Sequence, residues 1–313
     1  SRVVGLPHVV ALTLEVEGEV ADSLPALARA PALERLSVRS HDASQALLEA
    51  VAQLPSLRAL ALDSRPRRPE EMMVLEPPAP GAGLRRELRP RPPPAPSSYL
   101  LDLVARLPRL KELDLSLSVD VDAEVVRSLA SIAGHLRRLG CSLSGDDTAE
   151  ALARLPLEEL SIGNLSDRGL TALKGLPLQR LGLLGRSRVT GSGLATLPTT
   201  LLRLTLFQPL ADFSWLPRLF ALEYLSLEVD LAHADRRLLE PVGALAGLEQ
   251  LRVRVRGPGS TVDLAPLGRL GRLWLLEIMV KLDAAAVVSF APLHSLNTLE
   301  LRDTGIDDDA LVA

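Results

Sequence analysis

A single cysteine, Cys141, occurs in the 313 residues of this chain, so no disulfide can form within it. Proteins of reducing compartments seldom carry disulfides, and this scarcity favours a cytoplasmic location. No uninterrupted apolar run reaches the roughly 18 residues of a membrane-spanning helix. No signal peptide is recognisable at the amino terminus either. These absences predict a protein that does not insert into a membrane.

The net charge is small, and lysine is scarce. The formal net charge is −4, which gives no reason to expect nucleic acid or an anionic membrane as a partner. Only three of the 35 Lys and Arg residues are lysine. Together with abundant Ala, Leu and Pro, this composition indicates a GC-rich bacterial gene.

Catalytic and metal-binding patterns are missing as well. None of the five histidines lies three to five residues from another His or from Cys141, which excludes the usual zinc-ligand spacing. No glycine-rich run precedes Lys-Ser or Lys-Thr, so there is no phosphate-binding loop. The acidic run Asp307–Asp309 suits the start of a last helix better than a cation site. We therefore expect no enzyme activity, no cofactor and no metal within these residues.

What the chain does have is leucine in a recurring phrase. Leu296 is followed by Leu299 and then by Leu301, and twelve copies of this apolar spacing run through the chain. The middle positions of the copies are 12, 36, 60, 113, 139, 160, 181, 204, 225, 251, 276 and 299. Successive copies are 21 to 26 residues apart, except for one interval of 53. In the fifth copy Cys141 replaces the last leucine, so we expect its thiol to be buried and unreactive.

The phrase predicts an α/β solenoid. Its last two leucines alternate with polar residues and face one side of a strand. One short strand cannot bury that face alone, but stacked copies bury a continuous core. Parallel strands lie about 4.8 Å apart, whereas helices are roughly 10 Å wide. We therefore expect a curved horseshoe with about twelve parallel strands on the concave face and short helices and turns on the convex face.

This spacing resembles that of leucine-rich repeat proteins. The segments that follow several strands, such as Ser166-Asp167-Arg168-Gly169-Leu170, are similar to irregular bacterial repeats of the cysteine-containing, ribonuclease-inhibitor-like type. Such repeats usually carry Asn or Cys at position nine, where this chain has varied residues, among them Ser144 and Pro209. The resemblance implies a module for protein–protein interaction. Asp122 and Asp147 also have the features of helix N-caps.

The one long interval marks an insert at residues 64–98 within a single repeat domain that spans 1–313. Ten of these 35 residues are proline, and seven are arginine. Proline at this density cannot continue a helix or an inner strand, so the segment is predicted to be an inserted loop. Pro90 and Pro93 have the spacing that proline-binding modules use, which makes contact with a partner one interpretation. The other interpretation is a tolerated surface insertion.

The strand residues between the inward leucines define a candidate partner surface. Leu184, Phe207 and Tyr224 follow one another on successive copies, and we expect them to share a lateral column. Aromatics beside arginines are the composition of an interface hot spot. The simpler alternative is that these are scattered exposed side chains and that Glu228 pairs with Arg254 across strands. The predicted partner-binding residues are Leu184, Phe207, Tyr224, Glu228, Arg252, Arg254 and Met279.

Two functions fit this sequence. The first is a non-enzymatic module that binds a partner protein on its concave face. The second is the substrate-recognition arm of a larger enzyme or effector, ubiquitin-ligase-like or signalling, with its catalytic part outside this chain. The chain starts with Ser1 rather than Met, and no polar capping helix precedes the first strand, which favours the second function.

Overall fold

The computed structural model of the chain describes residues 8–16, 30–40, 49–64, 103–115, 120–132, 134–184, 187–230, 237–256, 262–279 and 289–302. The insert beyond Ser64 and the acidic run Asp307–Asp309 lie outside these ranges, so both remain predictions. The chain divides into two units. The first contains residues 1–121, 131–136 and 140–142, and the second contains residues 122–130, 137–139 and 143–313.

The first unit contains strands β1 (Ala11–Val16), β2 (Arg35–Ser40), β3 (Ala59–Ser64), β4 (Glu112–Asp114) and the two-residue β5 (Asp120–Val121). Strands β1 to β4 pair in parallel in chain order. Short helical stretches at 49–51 and 103–106 precede β3 and β4. The register aligns the middle leucines of successive phrases, Leu12 with Leu36 and Leu36 with Leu60.

Strand β6 (Arg138–Leu143) contributes residues to both units. The second unit continues with β7 (Glu159–Gly163), β8 (Arg180–Leu183), β9 (Arg203–Leu210), β10 (Tyr224–Asp230), β11 (Gln250–Arg256), β12 (Leu275–Met279) and β13 (Thr298–Arg302). All of these pair in parallel in chain order. The middle leucine of each of the twelve phrases lies on a strand, which confirms the predicted α/β repeat sheet.

The core of the second unit is a stack of aligned leucines. The middle leucines from Leu160 to Leu276 are at most 2% exposed, and each faces its counterpart on the next strand. Leu299, on the last described strand, is 40% exposed, and among the described strands β13 pairs with β12. The stack shows why the phrase is repeated: each leucine is buried by the copies before and after it.

The connecting segments are short helices and turns. The helices are α1 (Ala123–Ile132), whose last two residues belong to the first unit, and α2 (Asp146–Leu152), α3 (Asp167–Ala172) and α4 (Gly191–Leu194) of the second unit. The second unit also has 3₁₀ turns at Leu173–Gly175, directly after α3, and at Leu216–Arg218, Val242–Ala244 and Ala265–Arg269, after α4. Proline lies at or beside the start of the last three turns. Because proline lacks an amide hydrogen and fixes its own backbone angle, it suits a first turn but not a longer helix.

One of the two predicted helix caps is confirmed. Asp122 accepts a 2.8 Å hydrogen bond from the Val125 amide at the start of α1. The prediction for Asp147 is wrong, because α2 begins one residue earlier and follows Gly145. The Asp147 carboxylate instead lies 3.1 Å from the guanidinium of Arg168.

An aspartate–hydroxyl ladder joins the loops that precede α2, α3 and α4. Asp167 accepts hydrogen bonds from the Thr190 amide at 2.6 Å, the Thr190 hydroxyl at 2.5 Å and the Ser192 hydroxyl at 2.8 Å. One repeat earlier, Asp146 accepts from the Ser166 amide at 3.1 Å and from its hydroxyl at 2.5 Å. Ser166 and Thr190 are in turn the N-caps of α3 and α4. Each aspartate therefore holds the cap of the next helix in place.

The glycines of these helices make room for the ladder. A Cβ on Gly193 would overlap Oδ1 of Asp167, and one on Gly169 would overlap Oδ1 of Asp146. The Ser/Thr-x-x-Gly-Leu pattern thus has a physical reason. The first residue caps the helix, and the glycine lets the preceding aspartate approach that cap.

Candidate functional site

Six of the seven predicted partner-binding residues line one concavity on the strand face of the second unit. The concavity measures about 150 Å³ and extends over strands β9 to β12. The predicted residues that line it are Phe207, Tyr224, Glu228, Arg252, Arg254 and Met279. Leu184 is not part of it. That leucine follows β8, is half-buried, and donates its amide to the Ile162 carbonyl at 2.7 Å.

A bulge in β9 presents Phe207. Thr205 is in register with Ser226, yet the next aligned pair is Pro209 with Glu228, so β9 has three residues where β10 has one. Such a bulge bends its strand and redirects side chains. The Phe207 side chain is 52% exposed, a high fraction for an aromatic ring on a sheet. The next residue, Gln208, is buried and anchors the bulge by donating from Nε2 to the Val189 carbonyl at 2.6 Å.

Tyr224 lies between two guanidinium groups. Cζ of Arg203 is 5.8 Å from the centroid of the Tyr224 ring, and Cζ of Arg252 is 5.9 Å from it. Both distances are within the range of cation–π attraction. Arg252 is fixed further by Glu277, whose carboxylate lies 2.9 Å from Nε and also 3.7 Å from Nε of Arg302. These contacts restrict the Tyr224 ring, so less conformational entropy is lost when a ligand binds it.

The register corrects the expected column of apolar side chains. Tyr224 is opposite Arg203, not opposite Phe207. The two aromatics therefore border the concavity from different rows of the sheet, with Thr205 and Ser226 between those rows. The prediction that Leu184, Phe207 and Tyr224 share one column is therefore wrong. Phe207 and Tyr224 instead border the concavity on either side of two small hydroxyl residues.

Arg254 contacts a thioether. Its Nε lies 3.4 Å from the sulfur of Met279 on the neighbouring strand. The register does place Glu228 opposite Arg254, as cross-strand pairing requires, but Glu228 is only 4% exposed while Arg254 is exposed. The recorded side-chain contact of Arg254 is with Met279 rather than with that carboxylate.

Sequence reasoning missed four residues of the concavity wall and its surroundings: Thr205, Ser226, Glu277 and Arg203. Strand alternation does assign all four to the same face as Phe207. Alternation gives the face of each residue but not which residues of that face lie nearest one another, because this depends on the register between strands.

Two observations on the described residues concern metal binding and nucleophilic chemistry. They include no group of three His, Cys, Asp or Glu side chains that could hold a metal ion. In the first unit, burial raises the pKa of the Cys141 thiol to about 12, and the charge of Asp114 raises it further in the same direction. A thiol with that pKa is almost fully protonated at neutral pH and is a poor nucleophile.

No protein-family model and no curated protein matches this sequence. Among solved structures, the protein of the TLR13–ssRNA13 complex is similar, with a TM-score of 0.53 and 19% sequence identity over 88% of this chain and 36% of that one. The fold is a leucine-rich repeat solenoid. This leucine-rich repeat chain spans about a third of the length of the TLR13 chain.

Two internalins of Listeria monocytogenes are also similar to this leucine-rich repeat chain. Internalin C2 has a TM-score of 0.43 at 21% identity, over 64% of this chain and 83% of that one. The internalin inlF has a TM-score of 0.41 at 16% identity, over 96% and 88% of the two chains. Among the described residues, no helix combines the length and the apolar character needed to cross a bilayer.

Proposed function

We propose that this leucine-rich repeat protein is a non-enzymatic binding module that holds a partner protein against the strand face formed by β9 to β12. The observation that carries the proposal is a concavity lined by the exposed Phe207 ring and by a Tyr224 ring that contacts two arginines. Large aromatics and arginines contribute disproportionately to binding energy at protein interfaces.

The exposure of these side chains is not forced by the fold. Other residues of the same face are small or charged, such as Thr205 and Ser226, and these satisfy the repeat equally well. An aromatic ring on water-exposed sheet surface forgoes the burial that would stabilise it by about 1.5–3 kcal/mol. A partner that covers the ring recovers this free energy, and this is the physical basis of the proposal.

Site-specific photocrosslinking in cells of the source organism tests the proposal. A photoreactive benzoylphenylalanine replaces Phe207 in one variant and Phe220 in a matched control. Phe220 is 68% exposed but lies in the turn before β10, outside the concavity. We expect a discrete protein adduct from position 207 and not from position 220. Equal adducts from both positions, or none from position 207, would contradict the proposal.

The substrate-recognition arm of a larger enzyme or effector stays the alternative. It would use the same strand face and differs only in what happens to the bound protein. The alternative predicts that a protein captured at position 207 is chemically modified in cells that carry the full-length reading frame. The module alone predicts an unmodified partner.

Three further predictions belong to this proposal. The cytoplasmic location, expected from the single cysteine, is checked by fractionating native cells and probing for this chain. The repeat subtype, cysteine-containing and ribonuclease-inhibitor-like, is a prediction that a sequence alignment of close relatives would test. Contact through the insert at 64–98 is tested by deleting Pro66–Pro96. If the insert docks the partner, that deletion rather than a change at Phe207 should abolish the crosslink.

A further inference from the structure

We propose that the partner fills the concavity with one large apolar or aromatic side chain and places a neighbouring acidic side chain on Arg254. This inference rests on the proposed function and specifies the chemistry of the docked segment. The occupant is therefore a short acidic and apolar motif in a protein, not a small-molecule ligand and not a nucleic acid.

The size of the concavity points to a single side chain. Pockets for small-molecule ligands and cofactors usually measure about 300–1,000 Å³. The concavity of about 150 Å³ falls well below this range. It has room for one bulky side chain, while the rest of a bound peptide would lie over the surrounding strands.

The walls fit an apolar group. Phe207 and Tyr224 offer ring surfaces from two different strands, and Met279 offers a polarisable thioether from a third. Sulfur and aromatic surfaces both pack favourably against another aromatic ring. Thr205 and Ser226 lie between these walls, and their small side chains leave depth for an inserted side chain.

The charge around the concavity favours an acidic neighbour. The exposed guanidinium of Arg254 has no carboxylate within 4 Å among the described residues, and its Nε contacts only the Met279 sulfur. Arg203 is likewise exposed and stacks on Tyr224 without an ion pair in the part of the chain that the structure describes. Arginine presents a planar fork of donors that matches a carboxylate in a bidentate geometry.

The two acidic side chains of the concavity wall are either paired with arginine or buried. Glu277 is held by Arg252 at 2.9 Å and is near Arg302 at 3.7 Å. Glu228 is 4% exposed, so an approaching side chain meets the Arg254 guanidinium before it meets that carboxylate. Among the described residues that line the concavity, a basic occupant would therefore meet only acids that are buried or already paired, and it would be repelled by Arg254.

Selection from a random heptapeptide library displayed on phage tests this inference without a known partner. The full chain is immobilised as wild type, as Arg254→Glu and as the matched control Arg154→Glu, whose arginine is exposed in the turn after α2. We expect wild type and the Arg154→Glu control to enrich peptides with Asp or Glu within two residues of a large apolar residue. Arg254→Glu should instead lose the acidic preference or select basic residues.

Synthetic peptides from the selection then give affinities by fluorescence polarisation. We expect Arg254→Glu to weaken binding of an acidic peptide at least tenfold and replacement of its acid by Lys to weaken binding to wild type similarly. Phe207→Ala should weaken it at least fivefold, whereas Arg154→Glu should change it less than twofold.

The outcomes separate this inference from the proposed function. Enriched peptides that lack acidic residues but whose binding depends on Phe207 would overturn the inference that an acidic side chain lies on Arg254. They would leave the proposed function standing. Peptides that bind independently of Phe207, or no enriched peptides at all, would overturn both. Binding of a labelled mixed-sequence single-stranded RNA that Phe207→Ala abolishes, or self-association of the chain lost in the same variant, would replace the peptide motif with a different occupant.

Discussion

Gly193→Ala is the sharpest test of the aspartate–hydroxyl ladder. The new Cβ would overlap Oδ1 of Asp167 and lie 2.9 Å from its Cα, so the aspartate has to move. That movement weakens the bonds from the Thr190 amide, the Thr190 hydroxyl and the Ser192 hydroxyl. It also disturbs Thr190 as the N-cap of α4.

The magnitude follows from these contacts. Loss of a helix N-cap costs about 1 kcal/mol, and hydrogen bonds to a charged acceptor contribute about 1.5–3 kcal/mol each when shielded from water. Asp167 is only partly buried, so water replaces much of what is lost. Alanine itself favours a helix over glycine by about 1 kcal/mol. We expect a net loss of about 1–3 kcal/mol in unfolding free energy.

Urea denaturation followed by circular dichroism measures this loss. Gly175→Ala is the matched control, because a Cβ on Gly175 meets nothing within 4 Å. We expect the control to change the unfolding free energy by less than about 0.5 kcal/mol. In an Asp167→Ala background, Gly193→Ala should cost less than it does alone, because the overlap with the carboxylate is gone and only the 2.9 Å contact with the Cα of residue 167 remains. Additive losses, or a single-variant loss as small as that of the control, would refute the reasoning.

Three other predictions concern the core, the thiol and acid stability. Leu181→Ala removes a 2% exposed leucine from the stack and should lower the unfolding free energy by about 2–5 kcal/mol in the same urea assay. Cys141, with its pKa raised by burial to about 12, should react with a thiol reagent at pH 8 only after denaturation, and rapid labelling of the folded protein would contradict this. The pKa of Asp167 is raised by burial but lowered more by hydrogen bonds from Thr190 and Ser192, so its net shift from 3.8 is downward. Its stabilising contribution is therefore complete above pH 3.8 and is lost as the pH falls through the lower folded-state pKa, so Asp167→Asn should lose less stability than wild type on acidification.

The strand order and core of this protein were predictable because they depend on one strong periodic signal. The middle leucine of every copy of the phrase lies on a strand, and Cys141, which replaces a leucine in the fifth copy, is fully buried as predicted. A buried repeat has only one way to align its apolar residues with those of its neighbours, so the pattern determines the register.

The details of the candidate site were less predictable. The bulge in β9 that contains Phe207 also contains Gln208, which is anchored to the Val189 carbonyl one repeat away. The ladder that holds Thr190 through Asp167 also links residues 23 positions apart. Neither contact leaves a periodic trace in the sequence. Face assignment by alternation therefore succeeded, while the grouping of side chains within the face required the structure.

The claim that a partner protein docks on the strand face is tested most directly by one affinity measurement. The protein captured through position 207 is titrated against wild type, against Phe207→Ala/Tyr224→Ala and against the Phe220→Ala control, each first shown to be folded by circular dichroism. We expect the double variant to lose about 1–3 kcal/mol of binding free energy per ring while its unfolding free energy stays close to that of wild type. We expect Phe220→Ala to bind as wild type does. Unchanged affinity in the folded double variant would contradict the account and place the interface outside this face.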